Sequence, residues 1–241
     1  MKAFILAAGL GTRLRPVTDS IPKALVVLNG NPMLKIIIER LIKSGFDRII
    51  INVHHFAGQI IEYVESMNQF GIEIAFSDET GALLDTGGGL KKASWFLDGT
   101  EPFLVHNVDI LTNLDLLLLY NHHLGSGSIA TLAVQERKSS RYFLFDKEKN
   151  LCGWKNEETD IVKITRDPAG DLKKLAFSGI HVASPAIFKL MPDAERFSLV
   201  DFYLSVASLN RITYLEHSES FFLDLGINEN LAEAEKYLKT F

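Results

Sequence analysis

The sequence predicts an α/β fold, a mostly parallel sheet covered by helices on both faces. Three observations predict it. In the first half, short apolar runs alternate with amphipathic stretches at helical spacing. The first apolar run breaks directly into a glycine-rich loop, and ligands of such sheets bind outside the carboxyl ends of the strands. From about Ile129 the pattern becomes strand-rich and then ends in two helical stretches.

Taken in order, Ala3 to Ala7 is the first strand, too short and apolar for a helix. After the glycine loop, Asn31 reads as an N-cap and Pro32 as the first helical position of a helix carrying Ile36, Ile37, Leu41 and Ile42, with Gly45 past its end. Arg48 to Val53, Ile72 to Phe76 and Phe103 to His106 read as further strands. Between the first two lies a helix around Gly58 to Met67, with Ile60, Ile61 and Val64 on one face. "IATLAVQ", "RYFLFD" and "LAFSGIHV" are strand-like, and helices follow near Leu199 to Ser208 and Asn228 to Leu238. No Pro, Gly or Ser-rich linker divides the chain, so one domain is expected over 1–241, with halves of about 1–128 and about 129–241.

Composition narrows the function. With 241 residues, 47% hydrophobic and 23% charged, the chain reads as an ordinary globular protein with room for a buried pocket. A net charge of −5, with the 25 Lys and Arg scattered, argues against a nucleic-acid binder. Cys152 stands alone, which rules out an intrachain disulfide or a cysteine zinc site, and it is expected to be half-buried. No run approaches the roughly 20 apolar residues of a membrane span. The first apolar run is too short for a signal peptide, so a cytoplasmic protein without membrane insertion is expected. Nothing in the sequence points to an oligomeric state.

The loop "LAAGLGTRLRPVTDSIPKAL" is the most informative stretch. It lacks the third glycine of a dinucleotide fingerprint and the GxxxxGK of a P-loop. Gly9 and Gly11 let the backbone approach a ligand with amides inward, a nest suited to phosphate oxygens. Arg13 adds a planar fork and Lys23 a compact point charge. Taken alone, the same residues also fit a strand-to-loop turn with solvated cations.

Three further stretches carry polar residues where strands end. "FLVHNVDILTN" places Asn107 and Asp109 at a sheet edge, where a carboxylate could hold a hard divalent cation or simply form a turn. In "FFLDLGINENLAEAEKYL", Asp224 follows a strand, Gly226 allows a sharp turn and Asn228 can cap the closing helix. "LLDTGGGLKKA" offers unpaired amides at a helix start that Thr86 is able to cap. His54, His55, His122 and His123 lack metal-ligand spacing and are expected on loops or the surface. Trp154 suits either covering a ligand or packing.

Together these motifs resemble the signature of the sugar-1-phosphate nucleotidyltransferases, over nearly the whole chain from Met1 to Leu238. The resemblance implies a Rossmann-like, glycosyltransferase-A-like sheet with a smaller strand-rich subregion that binds the acceptor. It implies that Ala7, Ala8, Gly9, Gly11, Thr12, Thr86, Gly87 and Asn107 hold the nucleotide and that Gly179 lies close to the sugar. Arg13 and Lys23 would be the catalytic cations, on the pyrophosphate and the α-phosphate, and Asp109 and Asp224 would bind Mg2+. The sequence departs from the family pattern at Ala24, where proline is common, and at Val108, where glycine usually precedes the aspartate.

"DTGGGL", "FSGI" and "DLGINENLAEAE" are particularly similar to the N-acetylmuramate-1-phosphate uridylyltransferases of cell-wall recycling. The substrates implied are a nucleoside triphosphate, UTP first, and N-acetylmuramate-1-phosphate or a hexose-1-phosphate. Mannose-1-phosphate guanylyltransferase and choline-phosphate cytidylyltransferase are alternatives within the family. A catalytically inactive nucleotide-binding regulator is the non-enzyme alternative, and the joint presence of Arg13, Lys23, Asp109 and Asp224 argues against it.

Overall fold

The computed structural model describes residues 1–239, so residues 240 and 241 of the expected domain lie outside them. Strand β1 (Lys2–Leu6) leads into the glycine loop and a small hairpin of β2 (Val27–Leu28) and β3 (Asn31–Pro32). Helix α1 (Met33–Lys43), β4 (Arg48–Val53), α2 (Ala57–Ser66), β5 (Glu73–Asp78), α3 (Asp85–Lys92), α4 (Ser94–Leu97) and β6 (Phe103–Asn107) follow. Strands β6, β1, β4 and β5 lie side by side and parallel, with Ala3 opposite both Ile49 and Leu104. Parallel neighbours need crossovers, and the amphipathic helices supply them.

Alternation along each strand sends side chains to two cores. Ala3, Ile5, Ile49, Ile51 and Leu104 pack on α1 and α2 through Leu34, Ile37, Leu41, Ile60 and Val64. Phe4, Ile50, Phe103 and Val105 pack on the opposite face against Leu90 and Ala93 and against Phe96 and Leu97 of α4. Burial on both faces is why these strands read as continuous apolar runs.

Helix α1 begins later than its sequence suggests. Asn31 and Pro32 pair with Val27 and Leu28, Pro32 is extended (φ −58°, ψ 144°), and the first helical residue is Met33. The hairpin uses the backbone groups that an N-cap would have served. At the other end Gly45 (φ 86°) donates to the Ile42 carbonyl at 2.9 Å and closes the helix as expected.

The remaining elements are β7 (Ile110–Thr112), α5 (Leu116–Ser126), β8 (Ala130–Gln135), β9 (Arg141–Phe145), β10 (Leu151–Asn156), β11 (Ile161–Ile164), β12 (Lys173–Ala183), α6 (Leu199–Val206), β13 (Ile212–Glu216), β14 (Phe222–Asp224) and α7 (Asn228–Leu238). The long strand β12 joins the halves: it is antiparallel to β9 through Lys173–Leu175 and to β6 through Ile180–Ala183, and it also pairs with β8. The strand-rich subregion is therefore an antiparallel extension of the same ten-stranded sheet, with β13 parallel to β8. Strands β10 and β11 escape a reading of periodicity because Gly153 interrupts one and the other is an exposed edge.

A third cluster ties the end of the chain to its beginning. Leu223, Leu225 and Ala234 pack with Leu14, Val26, Leu28 and Met33, and β14 pairs antiparallel with β7. Two expectations about burial are corrected. His122 and His123 lie on α5, and His123 is buried, with its ring nitrogens 2.9 Å from Thr131 Oγ1 and from Ser184 Oγ. Cys152 is fully buried rather than half-buried, and burial pushes its thiol up to about 11. Among the described residues no helix is long and apolar enough to cross a membrane.

Candidate active site

The carboxyl ends of the parallel strands are held together by buried polar side chains. Asn52, at the end of β4, accepts from the amides of Ala7 and Ala8 at 2.7 and 3.3 Å and donates to Glu79 Oε1 at 2.7 Å. Glu79 in turn accepts from the Leu84 amide at 3.1 Å. The amides of Ala7 and Ala8 are thus engaged inside the protein. Those of Gly9 and Gly11 have no protein acceptor among the described residues.

Gly11 sets the shape of the loop. Its φ is 65°, and a Cβ there would lie 2.9 Å from Thr18 Cγ2 and 3.1 Å from Lys23 Cβ. Its carbonyl accepts from Leu14 N at 2.9 Å and from Thr18 Oγ1 at 2.8 Å, folding the loop back on itself. Thr12 and Arg13 then stand exposed on a short turn that buried Leu14 anchors.

Lys23 reaches Asp109 in a direct ion pair, both side chains mostly buried. Arg13 Nη1 lies 3.5 Å from Asp224 Oδ2. The two pairs meet at Gly226: a Cβ there would lie 2.5 Å from Arg13 Nη2, 2.9 Å from Asp224 Oδ1 and 3.0 Å from Asp109 Oδ2. The cause is the β7–β14 pairing, in which Leu225 N donates to the Asp109 carbonyl at 2.7 Å. Asn228 does not cap α7. Its side chain donates to the Arg13 carbonyl at 3.1 Å and holds the loop against the closing helix.

The two carboxylates fit a hard divalent cation. They supply oxygen donors only, and the missing Cβ of Gly226 keeps the space between them open. Among the described residues no third Asp, Glu, His or Cys joins them, so water and phosphate oxygens would complete the coordination.

A cavity of about 230 Å³ opens beside them, lined in part by Ala8, Gly9, Lys23, Thr86, Asn107 and Asp109. Thr86 caps a different helix from the one expected: its Oγ1 accepts from Leu199 N at 2.9 Å, at the start of α6. Gly87 is closely packed on one side: its amide donates to the Phe197 carbonyl at 2.9 Å, and a Cβ there would collide with the Phe197 ring. Gly179 (φ 71°) sits in the irregularity of β12 between Phe177 and His181, where a Cβ would lie 2.8 Å from Asn107 Nδ2. Its immediate neighbour is Asn107. Val108 turns its side chain into the core, so the departure from glycine leaves the cavity lining unchanged.

A second cavity, of about 410 Å³, lies on the antiparallel side. Tyr142, Phe143, Trp154 and Phe177 give it aromatic walls, and Lys163 and Asp201, 3.2 Å apart, lie on its edge. Of this constellation sequence reasoning singled out Trp154 alone, and it missed Asn52, Glu79 and Arg137. For Asn52 a signal was available: it is the polar interruption in an otherwise apolar buried strand.

Residues 2–239 match the family described as Nucleotidyl transferase. The chain is 33% identical over 215 residues to a UTP–glucose-1-phosphate uridylyltransferase of Synechocystis sp., covering 83% of this chain and 53% of that protein, so it spans about half of that relative's length. It is 30% identical over 239 residues to an N-acetylmuramate alpha-1-phosphate uridylyltransferase of Neisseria meningitidis serogroup B, covering 98% and 97% of the two chains. The crystal structure of HddC from Yersinia pseudotuberculosis complexed with GMP-PN superposes with a TM-score of 0.79 at 25% identity, covering 98% and 99% of the two chains. Sequence, fold and the convergence of motifs from both ends of the chain lead to one conclusion: the protein belongs to the nucleotidyl transferase family of enzymes.

Proposed function

We propose that the protein is a Mg2+-dependent sugar-1-phosphate nucleotidyltransferase. A phosphate oxygen of the sugar-1-phosphate attacks the α-phosphorus of a nucleoside triphosphate. The bond from that phosphorus to the bridging oxygen breaks, and pyrophosphate leaves with the bond's electron pair. A phosphate monoester has its second pKa near 6, so about nine tenths of the acceptor is dianionic at neutral pH and no general base is needed. What remains is alignment and charge stabilisation.

The observation that carries this reading is the meeting of the Lys23–Asp109 and Arg13–Asp224 pairs around Gly226. Lys23 stabilises the charge that builds on the α-phosphate, and Arg13 takes the departing pyrophosphate. Mg2+ held by Asp109 and Asp224 would supply charge to the reacting phosphates. Gly9 and Gly11 bind phosphate oxygens through their amides, while Thr12, Thr86 and Asn107 border the nucleotide. Residues of about 1–128 form the nucleotide half. Those from about 129 onward form the acceptor half, which the aromatic cavity around Trp154 supports.

UTP is the proposed nucleotide, with N-acetylmuramate-1-phosphate or a hexose-1-phosphate as acceptor. The names of the Synechocystis and Neisseria relatives favour this pairing. GTP is the second reading, favoured by the GMP-PN complex of the Yersinia protein. The test is pyrophosphate release from UTP, GTP, CTP and dTTP against a panel of sugar-1-phosphates, with Mg2+ and with EDTA. Release from UTP that EDTA abolishes is expected. Silence with every pair would overturn the reading.

A further inference from the structure

Arg137 is a cation beside the reaction centre with no carboxylate to neutralise it. It lies in the connection between β8 and β9. Its Nη2 donates to the Phe177 carbonyl at 2.9 Å, and its guanidinium stands 4.3 Å from the centre of the Phe222 ring. Among the described residues no carboxylate comes within ion-pair distance of it, and its Nε is buried without a hydrogen-bond partner. Burial pulls the guanidinium below its ordinary pKa, with the charge of Asp224 acting in the opposite direction. A partly buried cation with no ion-pair partner is costly, and Arg137 lines a cavity, so its charge points to an anion held there.

The surroundings say what kind of ligand. Phe222 and Asp224 are two apart on β14 and so share a face, which puts the stacked guanidinium on the Asp224 side of the strand. A cavity of about 470 Å³ there is lined by Arg13, Arg137, Lys138 and Asp224, with Ser139 and Ser140. Three cations against one acid suit an anion. Ser139 also lines the aromatic cavity of about 410 Å³, so a charged end and a ring-walled end adjoin.

We infer that Arg137 binds the phosphate of the acceptor through its guanidinium, while the acceptor's ring occupies the aromatic cavity. The ligand is a phosphate monoester on a polar ring, and the inference rests on the proposed transferase reading for its place in the reaction. Stacking on Phe222 fixes the plane of the guanidinium, and the planar fork then matches two phosphate oxygens. A lysine ammonium would give charge without that fork.

The test uses Arg137→Gln and Arg137→Lys beside the unaltered protein. Calorimetric titration with inorganic phosphate needs no turnover, and it is expected to show affinity reduced at least about tenfold in Arg137→Gln and less in Arg137→Lys. In the pyrophosphate-release assay the KM for the sugar-1-phosphate should rise by a similar factor, with the KM for the nucleotide unchanged. Equal phosphate affinity in all three proteins would overturn the inference. So would a rise in both KM values together with a lowered melting temperature in both variants, since Arg137 would then only brace β12 against β14. An enzyme that turns over no pair yet loses phosphate binding on Arg137→Gln would defeat the transferase reading and leave the anion site standing.

Discussion

Asn52 and Glu79 form a buried hydrogen bond of 2.7 Å that fastens the glycine loop to the sheet, because the oxygen of the same Asn52 side chain receives the Ala7 and Ala8 amides. Both residues are almost wholly buried. Asn52→Leu keeps the size of the side chain but strands two amides and a carboxylate oxygen. Each unmet group costs about 1–3 kcal/mol. A melting temperature lowered by several degrees is expected, with a weaker KM for the nucleotide as the loop loosens. An unchanged melting curve would remove this link from the account.

Gly226→Ala tests the meeting point of the charges. The added methyl lies within 3.0 Å of Arg13, Asp224 and Asp109, so these groups must separate. Displacements of about 1 Å in such a site cost up to about a hundredfold in rate. Turnover should fall at least about tenfold, with more Mg2+ needed for half-maximal rate. Wild-type Mg2+ dependence in this variant would speak against Asp109 and Asp224 as joint ligands.

Lys23→Ala should lower turnover by roughly a hundredfold or more, the scale of losing one transition-state charge contact. It also leaves Asp109, mostly buried, without its cation. Mg2+ should therefore raise the melting temperature of the variant more than that of the wild type. Equal thermal shifts would indicate that the metal does not bind at Asp109.

Four buried histidines make the fold acid-sensitive. Burial, the leading cause in each, pulls His106 and His181 down to about 3 and His123 and His217 down to about 4. The native protein keeps them neutral, whereas the unfolded chain takes up protons below about pH 6.5. The unfolded state therefore binds more protons across the window from about 6.5 down to about 4, and stability falls as pH drops through it. Each such proton costs about 1.4 kcal/mol per pH unit. Urea midpoints at pH 7.5, 6 and 5 should fall progressively; a flat series would contradict the burial of these rings.

Cys152 should resist modification. Its thiol is buried and pushed up to about 11, so almost no thiolate is present at neutral pH. Iodoacetamide should label it only in denaturant, as intact mass would reveal.

The four charged residues are legible in the sequence because each sits in a local pattern: Arg13 and Lys23 after a glycine loop, Asp109 and Asp224 just past apolar strands. The pairing partners were not legible. That Lys23 meets Asp109 follows from the way Gly11 folds the loop back, and that Asp224 joins them follows from β14 pairing with β7. Consecutive glycines such as those of "DTGGGL" are costly in chain entropy, and here Gly87 and Gly88 pack closely against the segment around Glu195 and Phe197. Packing between distant segments and ligand approach leave the same trace in a sequence. Arg137 gave no trace at all, since its meaning depends on Phe222 and Phe177 from two other strands.

Because β14 brings Asp224 to a charge cluster that begins in the opening loop, that cluster is completed late in synthesis. A nascent polypeptide halted on the ribosome before Asp224 has emerged would carry the glycine loop, Lys23 and Asp109, but not the second acid. Such an interrupted product could not assemble the charge cluster around Gly226, and under the proposed reaction it should release no pyrophosphate.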